Sequence, residues 1–112
     1  MLNITERQDA DVAILDLEGN LIMGGGSVHL RDAIRNLIKE GKRKILLNFT
    51  GVKYIDSSGI GELISGLVAV NREDGHMKLL NLSEKAKEVM ALSSLLSLFE
   101  IYDDEAEALN SY

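Results

Sequence analysis

Hydrophobic positions along this chain change their period several times, and each change marks a passage between strand and helix. Leu2 to Arg7 and Asp11 to Glu18 are short β-favouring stretches on either side of the polar Gln8-Asp9-Ala10, the pattern of a hairpin. Val12, Ile14, Leu15 and Leu17 alternate imperfectly, so the second strand is expected to be mostly buried. Glu18-Gly19-Asn20 reads as a turn, after which Leu21-Ile22-Met23 leads into Gly24-Gly25-Gly26-Ser27. Such a glycine run has a high backbone entropy cost, so it needs either freedom or close approach to another group. The plainer expectation is a flexible loop that ends at Ser27 as a helix N-cap.

A first helix follows, with Leu30, Ala33, Ile34, Leu37 and Ile38 on one face, stopping at Gly41 with Lys39 and Lys42 near its negative end. Lys44-Ile45-Leu46-Leu47-Asn48-Phe49 is a nearly continuous apolar run of strand length, which predicts a central strand buried on both faces. Strand, crossover helix and buried strand in that order imply a right-handed crossover between parallel strands. After a short link comes Asp56-Ser57-Ser58-Gly59, then apolar residues at Ile60, Leu63, Ile64, Leu67 and Val68, one helical stripe. Ser57 or Ser58 can cap this second helix, and Asp56 favours the positive end of its dipole. Asn71 to Gly75 terminates it, Met77 to Leu82 is the next strand, and Ser83 caps a third helix carrying Ala86, Val89 and Met90. Leu92 to Phe99 is a packed loop or short helix. Ile101-Tyr102 is an edge strand, and Asp103-Asp104-Glu105 opens a last helix through Ala106 and Leu109.

At 112 residues the chain is expected to form one domain, residues 1–112. The composition, 46% hydrophobic but 4% aromatic, describes an aliphatic core. A formal net charge of -6 argues against nucleic acid or an anionic membrane as a direct partner, since both require clustered Lys and Arg. There is no cysteine, hence no disulfide, thiol nucleophile or Cys-bound zinc. No apolar run approaches a membrane span, and the expectation is a soluble, cytoplasmic protein.

The chemistry of the chain concentrates at Asp56-Ser57-Ser58-Gly59. Taken alone these residues are foremost a helix cap, but Gly59 and Gly61, and Gly66 beyond them, each cost about 1 kcal/mol relative to Ala in a helix. A helix with so bare an entrance is expected to have a backbone or a bulky group pressed against it. An enzymatic reading finds little support. The serines lie in no Gly-x-Ser-x-Gly elbow, His29 and His76 lie in no recognisable motif, and Gly59-Ile60-Gly61 lacks the third glycine of a dinucleotide fingerprint. The Asp103-Asp104 pair has no metal-ligand spacing. The residues therefore predict no catalytic site, metal or cofactor.

Asp56-Ser57-Ser58-Gly59-Ile60-Gly61, with Tyr54-Ile55 and a buried strand before it, resembles the signature of the STAS domain family, specifically bacterial anti-sigma factor antagonists. The resemblance runs along nearly the whole chain, including Lys44 to Gly61, Met77 to Leu82, and the close Phe99 to Leu109. It implies a small α/β sandwich whose mixed sheet has an antiparallel amino-terminal edge, with helices mainly on one face. It also implies a binding module switched by phosphorylation. The unmodified form would sequester an anti-sigma factor that is also a serine kinase, releasing a sigma factor, and a serine phosphatase would restore it. By resemblance the phosphoacceptor is Ser57, and the partner surface takes in Asp56, Ser58, Gly59, Ile60 and Gly61 together with the Gly24-Gly25-Gly26 run. The alternatives are a subunit of a stress-sensing or lipid-transport complex and, from another class, a small nucleotide- or ester-processing enzyme. Two departures stand out. The acidic residue usual after the second strand is missing from Gly19-Asn20-Leu21-Ile22-Met23, and Ser94 stands where relatives often have glycine before the leucine at Leu95.

Overall fold

A computed structural model describes all of residues 1–112. Five strands form one sheet in sequence order: β1 (Leu2–Asp9), β2 (Val12–Leu21), β3 (Lys44–Ile55), β4 (His76–Leu80) and β5 (Ile101–Tyr102). The first pair is antiparallel, and β2–β3, β3–β4 and β4–β5 are all parallel. The helices are α1 (Gly25–Lys39), α2 (Ser57–Arg72), α3 (Glu84–Leu92) and α4 (Glu105–Asn110), with a single 3-10 turn at Leu96–Leu98. The antiparallel first pair and the parallel β2–β3 crossover are as the hydrophobic pattern predicts, and the mixed sheet as a whole is the one the family resemblance implies.

Alternation along the central strands sorts the core into two unequal parts. Ala13, Leu15 and Leu17 of β2, Ile45, Leu47 and Phe49 of β3, and Met77 and Leu79 of β4 join the buried residues of α1, α2 and α3 in one cluster of 20. The residues between them, Val12, Ile14, Leu46 and Leu80, face the other way, where Ala108 of α4 covers them with Tyr102, Leu109 and Tyr112 alongside. That is why the apolar run at β3 is unbroken: its centre is covered on both sides, although only α4 lies on the second face. Lys78 also lies on this second face. Its ammonium donates to the Ser111 carbonyl and hydroxyl oxygens, each at 2.8 Å, and sits 4.5 Å from the Tyr112 ring centre, so α4 is tied to β4 by a charge as well as by packing.

Several boundaries differ from those the sequence predicts, and all the main differences fall at one end of the sheet. Glu18-Gly19-Asn20 is not a turn. The second strand continues through it to Leu21, absorbing register shifts at Asp16/Glu18 and at Gly19/Asn20, with Gly19 at φ 114°. With a partner thus extended, β3 does not stop at Phe49 but runs on to Ile55, which pairs with Leu21. The strand after α2 ends earlier, at Leu80, where Asn81 takes a positive φ of 59°. Elsewhere the expected punctuation holds. Gly41 at φ 85° closes α1, Ser83 caps α3 by accepting from the Ala86 amide at 3.1 Å, and Asp104 caps α4.

The glycine run is a second correction. It is not a three-residue loop capped by Ser27: Gly25, Gly26 and Ser27 already belong to α1, whose N-cap is Gly24 at φ 94°. Gly26 and Ser27 are buried. A Cβ on Gly26 would overlap the carbonyl oxygen of Asn20, so a side chain is excluded there by the end of β2.

Candidate functional site

Because Leu21 and Ile55 are neighbours in the ladder, the two segments that leave the sheet there, Ile22 to Gly24 and Asp56, start side by side. Asp56 joins them. It is the N-cap of α2 in an extended conformation, and its Oδ1 accepts from the Gly59 amide at 3.0 Å. Its Oδ2 accepts from the Met23 amide, also at 3.0 Å, and its own amide donates to the Leu21 carbonyl at 3.3 Å. Donation from Met23 first, and then from Gly59, holds the Asp56 carboxyl below the usual aspartate range. The cap is thus the aspartate and not either serine, the role the sequence left to Ser57 or Ser58. An aspartate satisfies an orphan amide as a serine would and also places negative charge at the helix dipole.

With the cap supplied by Asp56, Ser57 becomes the first helical residue. Its side chain is exposed and takes no part in the cap, while Ser58 is half-buried. The glycines of the entrance do different things. At Gly59 a Cβ would overlap the Leu21 carbonyl oxygen and approach Leu21 Cγ to 2.8 Å, which fulfils the expectation of a backbone pressed against the helix. Ile60 is 4% exposed and belongs to the core. Gly61 has no such neighbour: nothing lies within 4 Å of the position its Cβ would take, and it faces solvent. Gly24 and Gly25 are equally open. Further along α2, Gly66 lets Ile34 of α1 approach, and the Arg31 guanidinium spans to Glu62, its Nε 3.1 Å from both carboxylate oxygens. That ion pair keeps the Glu62 carboxyl lower than usual and fixes α2 against α1 just behind the entrance.

Two residues that sequence reasoning passed over complete this surface. Met23 is 75% exposed and Tyr54 69% exposed, both large apolar side chains left in water at the mouth of α2. Their signal was in the sequence: Tyr54 stands two residues ahead of Asp56, and Met23 stands next to a glycine run. Neither could be told from a buried strand residue until the lengths of β2 and β3 were known.

His29 is engaged with the Leu2 carbonyl, its Nδ1 at 2.9 Å, and His76 opens β4 at the opposite end of the strands from Ile55. No group of three or more His, Cys, Asp or Glu side chains is arranged to hold a metal ion, and no helix is long and apolar enough to cross a membrane. This α/β module with a mixed sheet presents one exposed serine, Ser57, beside an open glycine at the entrance of α2.

Comparison with known proteins gives this class its family. The STAS domain model matches residues 3–108, and the chain belongs to that family of non-catalytic regulatory modules. An anti-sigma F factor antagonist of Paenibacillus polymyxa is 26% identical over 113 residues, covering 96% of this chain and 92% of the relative. Among solved structures, a candidate anti-sigma factor antagonist of Thermotoga maritima superposes with a TM-score of 0.89 at 25% identity, covering 96% of this chain and 92% of that one. The Bacillus cell fate determinant SpoIIAA in its phosphorylated form has the same fold, with a TM-score of 0.76 at 23% identity over 97% of this chain and 98% of its own.

Proposed function

We propose that this chain is an anti-sigma factor antagonist of a single domain, gated by phosphorylation of Ser57. In its unmodified form it binds an anti-sigma factor that is also a serine kinase, and a sigma factor is released. The kinase transfers the γ-phosphoryl group of ATP to Ser57 Oγ, ADP leaves, and the serine proton passes to a base of the kinase. A serine phosphatase reverses the step by hydrolysis. The observation that carries the reading is the exposed Ser57, released from capping by Asp56, at a helix entrance that also leaves Gly61, Gly24 and Gly25 open and Met23 and Tyr54 exposed. Gly59 packs against Leu21 behind the entrance, and buried Ile60 and Gly26 anchor the two helix starts.

The likeness to antagonists across almost the full chain supports the partner class. The switch has a simple energetic basis. Phosphate adds about -1.5 to -2 charges, which the positive end of a helix accommodates. A partner surface shaped for a small hydroxyl meets instead a bulky anion with its hydration shell, at a desolvation cost. Incubation with the cognate kinase and ATP, followed by phosphopeptide mapping, is the test: phosphate on Ser57 and loss of the complex are expected, and modification confined to Ser58 refutes the assignment.

A further inference from the structure

We propose that Asp56 is a positioning residue: one carboxylate oxygen caps α2 while the other holds the Met23 amide, so the exposed Met23 and Gly24 stay beside Ser57 only while both bonds are made. Both bonds are 3.0 Å; Met23 stands 33 residues from Asp56 in the chain, and no strand ladder joins their segments beyond Leu21 and Ile55. Ile22 is outside the sheet, and Met23 and Gly24 form a turn. A second anchor, the Ser27 amide donating to the Ile22 carbonyl at 3.0 Å, lies on the far side of that turn and leaves the Met23 amide to Asp56 alone.

The division of labour explains why an aspartate stands here when serine would cap a helix as well. Serine offers one oxygen on a short stem. Asparagine offers one acceptor and one donor, so that facing two amides it must leave one N–H opposed to another. Only a carboxylate accepts from both sides, and a hydrogen bond to a charged acceptor is about twice as strong as a neutral one. The same carboxylate is the charged group nearest in sequence to Ser57, so negative charge added to Ser57 acts on the latch as well as on a partner.

Amide hydrogen exchange of the free, full chain by NMR tests this, and its outcome does not depend on whether Ser57 is ever phosphorylated. In Asp56→Ser the Gly59 amide is expected to stay protected within about threefold, because the cap survives, while exchange at Met23 rises by roughly tenfold or more as a charge-assisted bond is lost. Asp56→Asn is expected to release Met23 as well. Unchanged protection of Met23 in both variants overturns the proposal. A third reading needs no variant: on acidification of the unmodified chain, the Met23 and Gly59 amide resonances are expected to shift together with one midpoint, below the usual aspartate range. Separate midpoints, or a Met23 resonance indifferent to pH, overturn it equally.

Discussion

Helices α1 and α2 enter the fold at the same place and by the same device, yet only one entrance leaves a serine exposed. Each begins where a strand has just ended, and each presses one bare glycine onto the last carbonyls of β2, Gly26 onto Asn20 and Gly59 onto Leu21. The difference is in the cap. Gly24 caps α1 without a side-chain hydrogen bond, and the serine that could have served, Ser27, is buried inside the first turn. Asp56 caps α2 with a charged side chain and leaves Ser57 exposed. A hydroxyl becomes available to a partner only where another residue has taken over its structural task. The two entrances also show that glycine has two meanings within a few residues, absence of a side chain required by the fold at Gly26 and Gly59 and absence of one facing open space at Gly25 and Gly61.

The sharpest way to break this comparison is to give α2 a side chain on each side of its entrance. Gly59→Ala is expected to cost about 1–3 kcal/mol or more by overpacking, because the atom in the way is backbone and cannot swing aside. Gly61→Ala, two residues on, is expected to stabilise by up to about 1 kcal/mol through helix propensity while weakening the partner complex. Urea denaturation and a binding titration on both variants decide this, and equal stability losses would erase the distinction.

Charge at Ser57 is expected to have nearly as large an effect, on binding alone. Ser57→Asp should lower partner affinity by roughly ten- to a hundredfold, about 1.4–2.8 kcal/mol, while stability stays within about 0.5 kcal/mol, as for other exposed substitutions. Ser57→Ala should bind constitutively and resist the kinase. Affinity unchanged in the aspartate variant, or lost only because the chain has unfolded, would refute an electrostatic switch. Tyr54→Ala is the next step down. An exposed aromatic at the rim of the site is a candidate binding hot spot, so a loss of roughly tenfold in affinity with no change in melting temperature is expected. Isothermal titration against the purified partner measures it, and full affinity would remove Tyr54 from the surface.

How far the sequence disclosed this site follows from the range over which each cause acts. The period of Leu30, Ile34 and Leu37, the apolar run of β3, the Ser83 cap and the opening of α4 at Asp103-Asp104-Glu105 depend on neighbours a few residues away, and they could be read directly. The end of β2 could not. Gly19 and Asn20 have the composition of a turn, and they remain in a strand because β3 offers a partner as far as Ile55, a contact of long sequence separation. Once that was misplaced, the neighbouring assignments moved with it. Met23 and Tyr54 were not seen as exposed, Gly26 was taken for loop and Ser27 for the N-cap of α1, and the cap of α2 was left to a serine when the carboxylate beside it had a second amide within reach. Ser57 was singled out only by the resemblance of Asp56-Ser57-Ser58-Gly59 to a family signature, because the residues by themselves left the α2 cap open between Ser57 and Ser58.

The smallest expected effect separates the two remaining open glycines. Gly24 has φ 94°, a conformation that side chains disfavour, whereas Gly25 is the first residue of α1, is not among the positive-φ glycines, and has nothing within 4 Å of its missing Cβ. Gly25→Ala is therefore expected to raise stability by about 0.4–1 kcal/mol, by restricting the unfolded chain, and Gly24→Ala to lower it by more than that. Their consequences for binding should run differently. If Gly25 touches the partner, the added methyl weakens the complex a few-fold although the free protein is more stable, a combination that a purely structural role for Gly25 cannot produce. If affinity and amide exchange from Met23 to Gly26 are both unchanged, the α1 entrance is only a spacer and the partner surface belongs to α2, Met23 and Tyr54. Melting curves and a binding titration on the two variants are enough to choose.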